Sequence, residues 1–326
     1  MMKGFEKEIA VAIGRRAADL YILPYRKYYR LLMTCQGQLQ VIKEVSPDYG
    51  QRLISFLKYQ ADMAVSEHRR PQLGAMEWQH GPEIVNLRLS SVGDYQGRES
   101  LVVRFIYHLS AANYHILFPD QWQYLKGLLR QRGLILFAGP MGSGKTTTMY
   151  QLARGMANEK VVMTIEDPVE INEPSFVQLQ VNELAGMDYQ QLLRLGLRHR
   201  PDVFIIGEIR DPETAKMTVR AALSGHLVLG TVHAQNAYGV ISRLEQLGVT
   251  PSFLCQTLTG IYYQRLIPTC TGQPAVLFDC LAGAHLKKAI DQQGKRGMSD
   301  EWRKHLECAF QNGQITATVK EEFAQG

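Results

Sequence analysis

Cysteine is scarce in this 326-residue chain. The five that occur, Cys35, Cys255, Cys270, Cys280 and Cys308, include no C-x-x-C pair. An odd and scattered set excludes a disulfide-framed secreted scaffold. Cys270 and Cys280 leave a weak zinc reading open beside the plainer one of reduced, partly buried thiols. Long apolar runs are missing too, since none approaches the roughly 18 residues of a membrane span. Residues 1–8 have no apolar signal-peptide core, so a cytoplasmic protein is expected. There is no internal repeat and no low-complexity tract. Neither sign of charge dominates: the formal net charge is +5 and the pI about 8.9. That balance suits an acidic surface without singling out nucleic acid. No aromatic-basic stacking platform is visible, so direct nucleic-acid binding is not expected.

What is present is a globular composition, 45% hydrophobic against 21% charged, and length enough for two ordinary domains. The chain is organised around Gly139-Pro140-Met141-Gly142-Ser143-Gly144-Lys145-Thr146, which fits G-x-x-x-x-G-K-[ST]. A buried strand over 134–138 enters it, and a helix from Thr147 to Ala153 leaves it. Glycines let the backbone curl until its N–H groups face a phosphate, and the helix start adds about half a positive charge. Lys145 would reach the β- and γ-phosphates and the Thr146 hydroxyl would ligate Mg²⁺. ATP and Mg²⁺ are therefore the expected cofactors of an ATPase.

Residues 1–110 read as a small α+β domain, with helices over 6–16 and 48–65 and strands over 19–24, 28–35, 39–41, 84–89 and 100–105. A hairpin turn is expected at 36–38. Residues 111–119 read as a hinge linker, and 120–326 as an α/β domain with a C-terminal helical region. Asp120, Asp188 and Ser299 are expected helix caps, and residues 294–299 a turn. Trp302, Leu306 and Phe310 make one apolar stripe, whose default reading is packing onto the domain. After Gly133, apolar strands over 134–138, 161–165, 203–206 and 227–232 alternate with helices. Such runs mean a parallel sheet covered on both faces, and ligands bind at the carboxyl ends of its strands. The loop, Glu166-Asp167-Pro168-Val169-Glu170, Glu208 and His233 all fall at such ends.

Phosphoryl transfer to water needs a metal, an oriented water and neutralised charge. Glu208, after an apolar strand, is placed to hold Mg²⁺ or its waters. Glu170 is the candidate for orienting or deprotonating the water, with Glu166 and Asp167 in the same acidic segment. His233 reads as a polar switch that senses the γ-phosphate. His226 and His233 flank one strand and are poorly spaced for a shared metal, about 23 Å apart, which leaves that reading open but weak. Arg88, Arg104, Arg194, Arg198 and Arg210 are candidates for neutralising phosphate charge.

At these motifs the chain resembles the type II/type IV secretion-type ATPases, which include secretion, pilus-extension and pilus-retraction motors. The resemblance rests on residues 139–146, Thr164-Ile165-Glu166-Asp167-Pro168-Val169-Glu170, Ile206-Gly207-Glu208-Ile209-Arg210-Asp211, and Gly225-His226-Leu227 through Thr231-Val232-His233. In the first domain Ala17-Ala18-Asp19-Leu20-Tyr21-Ile22, Arg69-Arg70-Pro71-Gln72-Leu73-Gly74, Leu87-Arg88-Leu89-Ser90 and Val102-Val103-Arg104 agree with it. The resemblance implies a RecA-like P-loop domain preceded by a PAS-like domain whose Arg88 and Arg104 reach the nucleotide. It implies a homo-hexamer at the cytoplasmic face of the membrane, pushing on a polytopic platform protein of a pilus or pseudopilus machine. Residues 263–268 and 275–279 are most similar to the competence branch of Gram-positive bacteria, which serves DNA uptake. Leu32, Thr34 and Gln36 depart from the family's R-x-R-x-D-G hairpin. Neither the extra N-terminal domain nor the four-cysteine zinc element of the secretion motors is expected here. A pilus-retraction motor and, from a different class, a nucleic-acid translocase or weakly hydrolysing binding module remain alternatives.

Overall fold

A computed structural model of the protein describes residues 5–35, 38–107, 115–182, 185–291 and 297–326. The chain divides into two compact units, Met1–His108 and Leu109–Gly326.

The first unit runs α1 (Glu6–Gly14), β1 (Asp19–Pro24), β2 (Tyr29–Cys35), β3 (Gln38–Val45), α2 (Pro47–Gln60), β4 (Gln72–His80), β5 (Glu83–Gly93) and β6 (Glu99–Ile106). Its strands form one antiparallel sheet in the order β3-β2-β1-β6-β5-β4. Alternate apolar residues of β1, β2, β5 and β6 meet Ile9, Ala12 and Ile13 of α1 and Leu53, Ile54 and Leu57 of α2 in one core. Ser46 caps α2 by accepting from the Tyr49 N–H at 3.2 Å. The helix ends at Gln60, short of the expected Val65, where Asp62 turns the chain through a left-handed φ of 53°. Strand β4 was not expected. It is an edge strand that alternates exposed and half-buried residues with none fully buried, so it carries no apolar run to read. The turn expected at Gln36-Gly37 lies outside the described residues.

The second unit runs α3 (Pro119–Leu128), β7 (Gly133–Ala138), α4 (Lys145–Arg154), β8 (Val162–Glu166), β9 (Val177–Gln180), α5 (Tyr189–His199), β10 (Val203–Ile206) and α6 (Pro212–Leu223). It continues through β11 (Leu227–Thr231), α7 (Ala237–Gln246), α8 (Pro251–Thr257), β12 (Leu258–Ile267), β13 (Ala275–Ala282), α9 (Gly283–Asp291), α10 (Asp300–Gln311) and α11 (Ala317–Glu322). The sheet order is β13-β12-β7-β11-β10-β8-β9, parallel except for the antiparallel β13. Strands β7, β8, β10 and β11 are buried at every position, and a core lies on each face of the sheet. This is the α/β parallel-sheet architecture that the alternating apolar strands predict.

Several local expectations change. Asp120 does not cap α3: Phe118 is the N-cap residue, Pro119 opens the helix, and Asp120 sits in the first turn. Asp188 and Ser299 do cap, accepting from the N–H groups of Gln191 and Trp302. The region after Ser252 is helical at first in α8 and then mixed, with β12 and β13 followed by α9, α10 and α11. On α10, Trp302 and Leu306 are buried, but Ala309 rather than Phe310 completes the stripe. Trp302 Nε1 donates to the Phe323 carbonyl at 2.8 Å. Of the expected hinge, residues 110–114 lie outside the described residues. Residues 115–117 join the edge of β13, with Leu117 N donating to Val276 O and Val276 N to His115 O, each at 2.8 Å.

Candidate active site

The loop after β7 is shaped by its glycines. Gly139 has φ 143° and Gly144 φ 84°, values that side chains resist, and Gly144 is the N-cap residue of α4. The loop's N–H groups and the first turn of α4 thus lie together at the carboxyl end of β7, where an anion is favoured. Lys145 folds back on the loop, its Nζ donating to Gly139 O at 2.9 Å and Pro140 O at 2.8 Å. Burial holds its pKa below the ordinary lysine value, while the charges of Glu208 and Glu170 push the other way.

A cavity of about 620 Å³ opens beside this loop. From the loop and α4 it is lined by Met141, Gly142, Gly144, Lys145, Thr146 and Thr147. From the strand ends it is lined by Glu166, Asp167, Glu170, Glu208, Arg210 and His233. The Thr146 hydroxyl donates to Glu170 Oε2 at 3.2 Å, so the two side chains approach one point. Glu208 receives Arg210 Nε on one oxygen at 2.6 Å and lies 2.8 Å from His233 Nε2 through the other. That bond to Glu208 raises the Arg210 pKa. Glu166 is buried and accepts from the Tyr150 hydroxyl at 2.5 Å, while Gln178 Nε2 donates to that hydroxyl at 2.7 Å. Burial and the Glu166 charge both push the Tyr150 pKa up.

Other candidates lie elsewhere. Ser143 is buried in the loop. Arg194 and Arg198 are exposed on α5 and do not line the cavity. His226 is at the opposite end of β11, with its Nδ1 2.7 Å from Pro201 O and its ring edge-on to Phe204. In the first unit Arg88 and Arg104 are register partners on neighbouring strands, hence on one sheet face. Arg104 Nε donates to Asp19 Oδ1 at 2.9 Å. Cys280 is largely buried and its thiol is pushed up to about 12. No cluster of three His, Cys, Asp or Glu residues suited to a metal occurs among the described residues.

Tyr189 and Ile171 line the cavity and escaped sequence reasoning, and Thr231 entered it only within a quoted motif, without a role. Tyr189 follows the α5 cap, and burial with the nearby Asp167 charge raises its pKa. Thr231 ends β11, and its hydroxyl donates to Gly207 O at 2.5 Å. Only their places next to a cap and a strand end could have signalled them.

The oxygen donors Thr146, Glu170 and Glu208 beside a lysine and a helix start suit a magnesium-bound polyphosphate, since Mg²⁺ prefers few carboxylates plus phosphate oxygens. Comparison with known proteins points the same way. The family model described as "Type II/IV secretion system protein" matches residues 1–314. "Competence protein ComGA" of Streptococcus pneumoniae is 40% identical over 320 residues, covering 97% of both chains. "Type II secretion system protein E" of Klebsiella pneumoniae is 38% identical over 272 residues, 80% of this chain but 54% of that protein's length. The X-ray structure of the Legionella pneumophila ATPase DotB superposes with a TM-score of 0.74 at 21% identity, covering 98% of this chain and 94% of that one, a likeness of fold. Among the described residues no helix is long and apolar enough to cross a membrane.

Proposed function

We propose, from the premise that the chain belongs to the type II/IV secretion system protein family and is an ATP-hydrolysing member of it, that it is the cytoplasmic motor that assembles a competence pseudopilus for DNA uptake. The observation that carries this reading is coverage: the match to a competence protein runs through nearly the whole of both chains, whereas the chain spans about half of a type II secretion relative. The working unit is a homo-hexamer at the cytoplasmic face of the membrane, acting on a polytopic platform protein.

In this reading the N–H groups of the loop and the start of α4 hold the ATP phosphates. Lys145 exchanges the carbonyls of Gly139 and Pro140 for phosphate oxygens. Thr146 and Glu208 would hold Mg²⁺, directly or through water, and the ion supplies charge neutralisation on the phosphates. Glu170, anchored by the Thr146 hydroxyl, orients the attacking water and takes its proton. Glu208 passes the state of the site to His233 at the end of β11 and to Arg210. Arg88 and Arg104 neutralise developing charge.

The test is a chromosomal deletion complemented with wild type or Lys145→Ala. The wild-type gene should restore both DNA uptake and pilus-like filaments, and the variant neither. Filaments that persist or lengthen without the gene would instead mark a retraction motor. Salt-dependent binding of the purified protein to DNA would favour a translocase.

A further inference from the structure

We propose that Gln264 is the positioning residue of the phosphate-binding loop, holding its curvature from behind through an amide that donates at one end and accepts at the other. The proposal rests on reading residues 139–146 as the phosphate site.

Strand β12 runs parallel to β7 with Tyr263 opposite Ala138. Gln264 therefore comes level with Gly139, where the chain leaves the sheet and curls. Its side chain is fully buried. Its Nε2 donates to the Ser143 carbonyl at 2.5 Å, and its Oε1 accepts from the Thr148 hydroxyl at 2.8 Å. A backbone carbonyl only accepts, so the amide nitrogen must face Ser143 and the oxygen must face Thr148. One side chain thus ties the peptide before Lys145 and Thr146 to the helical turn after them.

The Ser143 bond has a second consequence. The peptide from Ser143 to Gly144 is planar and trans, so its N–H points opposite to its C=O. Holding the carbonyl toward β12 aims the Gly144 N–H away from it, toward the loop's open side, where a phosphate would bind. The fit behind the loop is close. A Cβ added to Gly139 would lie 2.3 Å from the Gln264 carbonyl oxygen, and one added to Gly144 would lie 3.1 Å from Gln264 Nε2. Those glycines make room for this strand as well as for the turn. Both ends of the buried amide are bonded. Without it the Ser143 carbonyl would lose its donor, which costs more than the bond is worth, whereas the Thr148 hydroxyl, also 3.0 Å from Gly144 O, would keep that second partner.

The test uses the full chain, with a fluorescent ADP analogue as probe beside steady-state ATP hydrolysis. Gln264→Met keeps shape and removes both bonds; kcat/KM and ADP affinity should each fall about tenfold. Leu277→Ala, a fully buried core change on β13, supplies the comparison for lost stability and should leave both values near wild type even where its Tm falls as far. Gln264→Glu should be impaired as a carboxylate, which cannot donate to Ser143. It should recover relative to wild type as pH falls and the neutral acid's O–H replaces the amide N–H, whereas Gln264→Met should show no such recovery. If Gln264→Met does not fold, Gln264→Glu and Thr148→Val carry the test. Wild-type kinetics in Gln264→Met, an equal loss in Leu277→Ala, or a flat ratio of Gln264→Glu to wild type from pH 5.5 to 8.5 would overturn the role. Nucleotide binding that survives Lys145→Ala would instead remove the loop reading beneath it.

Discussion

Glu170→Gln should slow ATP turnover by about 10²–10⁴-fold while leaving the fold and nucleotide binding intact. Glu170 is exposed, and it accepts a 3.2 Å bond from Thr146 that a glutamine carbonyl can also accept, more weakly. A surface change of that kind should move Tm by no more than about 2 °C in a unit of this size. Glu170 is also one of two carboxylates whose charge acts on Lys145. Removing it lowers the repulsion that a triphosphate meets, so ATP affinity should hold or tighten. Against these small changes, losing the group that orients and deprotonates water raises the barrier by about 2.7–5.5 kcal/mol. The kinetic loss therefore exceeds any structural one by a wide margin. Phosphate release at saturating ATP, a fluorescent ADP titration and a thermal melt measure the three quantities. Glu170→Asp keeps the charge but withdraws it by one methylene, and should fall between. Turnover of Glu170→Gln within about threefold of wild type would refute the water-orienting role, and a large fall in Tm would transfer the loss to folding.

Glu208→Gln should also lower kcat, by about 100-fold or more, with a modest change in Tm because Arg210 and His233, its partners, are each 61% exposed and their pairs with it are worth little. A melting shift without a kinetic one would return Glu208 to a structural role. Nucleotide affinity should fall as pH rises through the depressed Lys145 pKa: bound phosphates favour the charged lysine, so affinity is full below the free protein's pKa and lost above it. An ADP titration from pH 7 to 10 measures this, and a constant Kd across that range would contradict it, as would the same fall in Lys145→Arg. Arg104→Ala should cut turnover with the first unit still folded. A lower Tm with normal kinetics would leave Arg104 only as the partner of Asp19.

The parallel sheet was legible because β7, β8, β10 and β11 are buried on both faces and so read as uninterrupted apolar runs. The same physics made the site's position legible, since residues that follow such runs must emerge at one edge of the sheet. Two of the edge strands escaped. β4 and β9 are edge strands without a fully buried residue. β12 was hidden for another reason. Its Gly260, Gln264 and Arg265 interrupt the apolar pattern, and its pairing with β7 joins residues about 120 positions apart. Local sequence carries no trace of such a pairing, so Gln264 entered the sequence reading only as part of residues 263–268, with no role of its own. Arg194 and Arg198 show the converse limit, because an arginine on an amphipathic helix looks the same from its sequence whether its face meets a nucleotide or water.

The charge on the cavity leads to one more test. Four carboxylates, Glu166, Asp167, Glu170 and Glu208, line it against two fixed cations, Lys145 and Arg210, a surplus of two negative charges. A triphosphate carries charge of the same sign, and like charges within a few ångströms repel strongly where water is thin. The loop and the helix start contribute only about half a positive charge. The second unit's cavity by itself is thus poorly matched to free ATP, and a divalent ion is the expected source of the missing positive charge. Chelating Mg²⁺ should therefore weaken ATP binding by about 100-fold or more, with ADP, which has one phosphate fewer, affected less. Glu208→Gln should narrow the difference between Mg²⁺ and chelator, because it removes both a ligand and a repelling charge. Equal ATP affinity with and without Mg²⁺ would mean that these carboxylates turn away when nucleotide binds, and the assignment of Glu208 would fall with it.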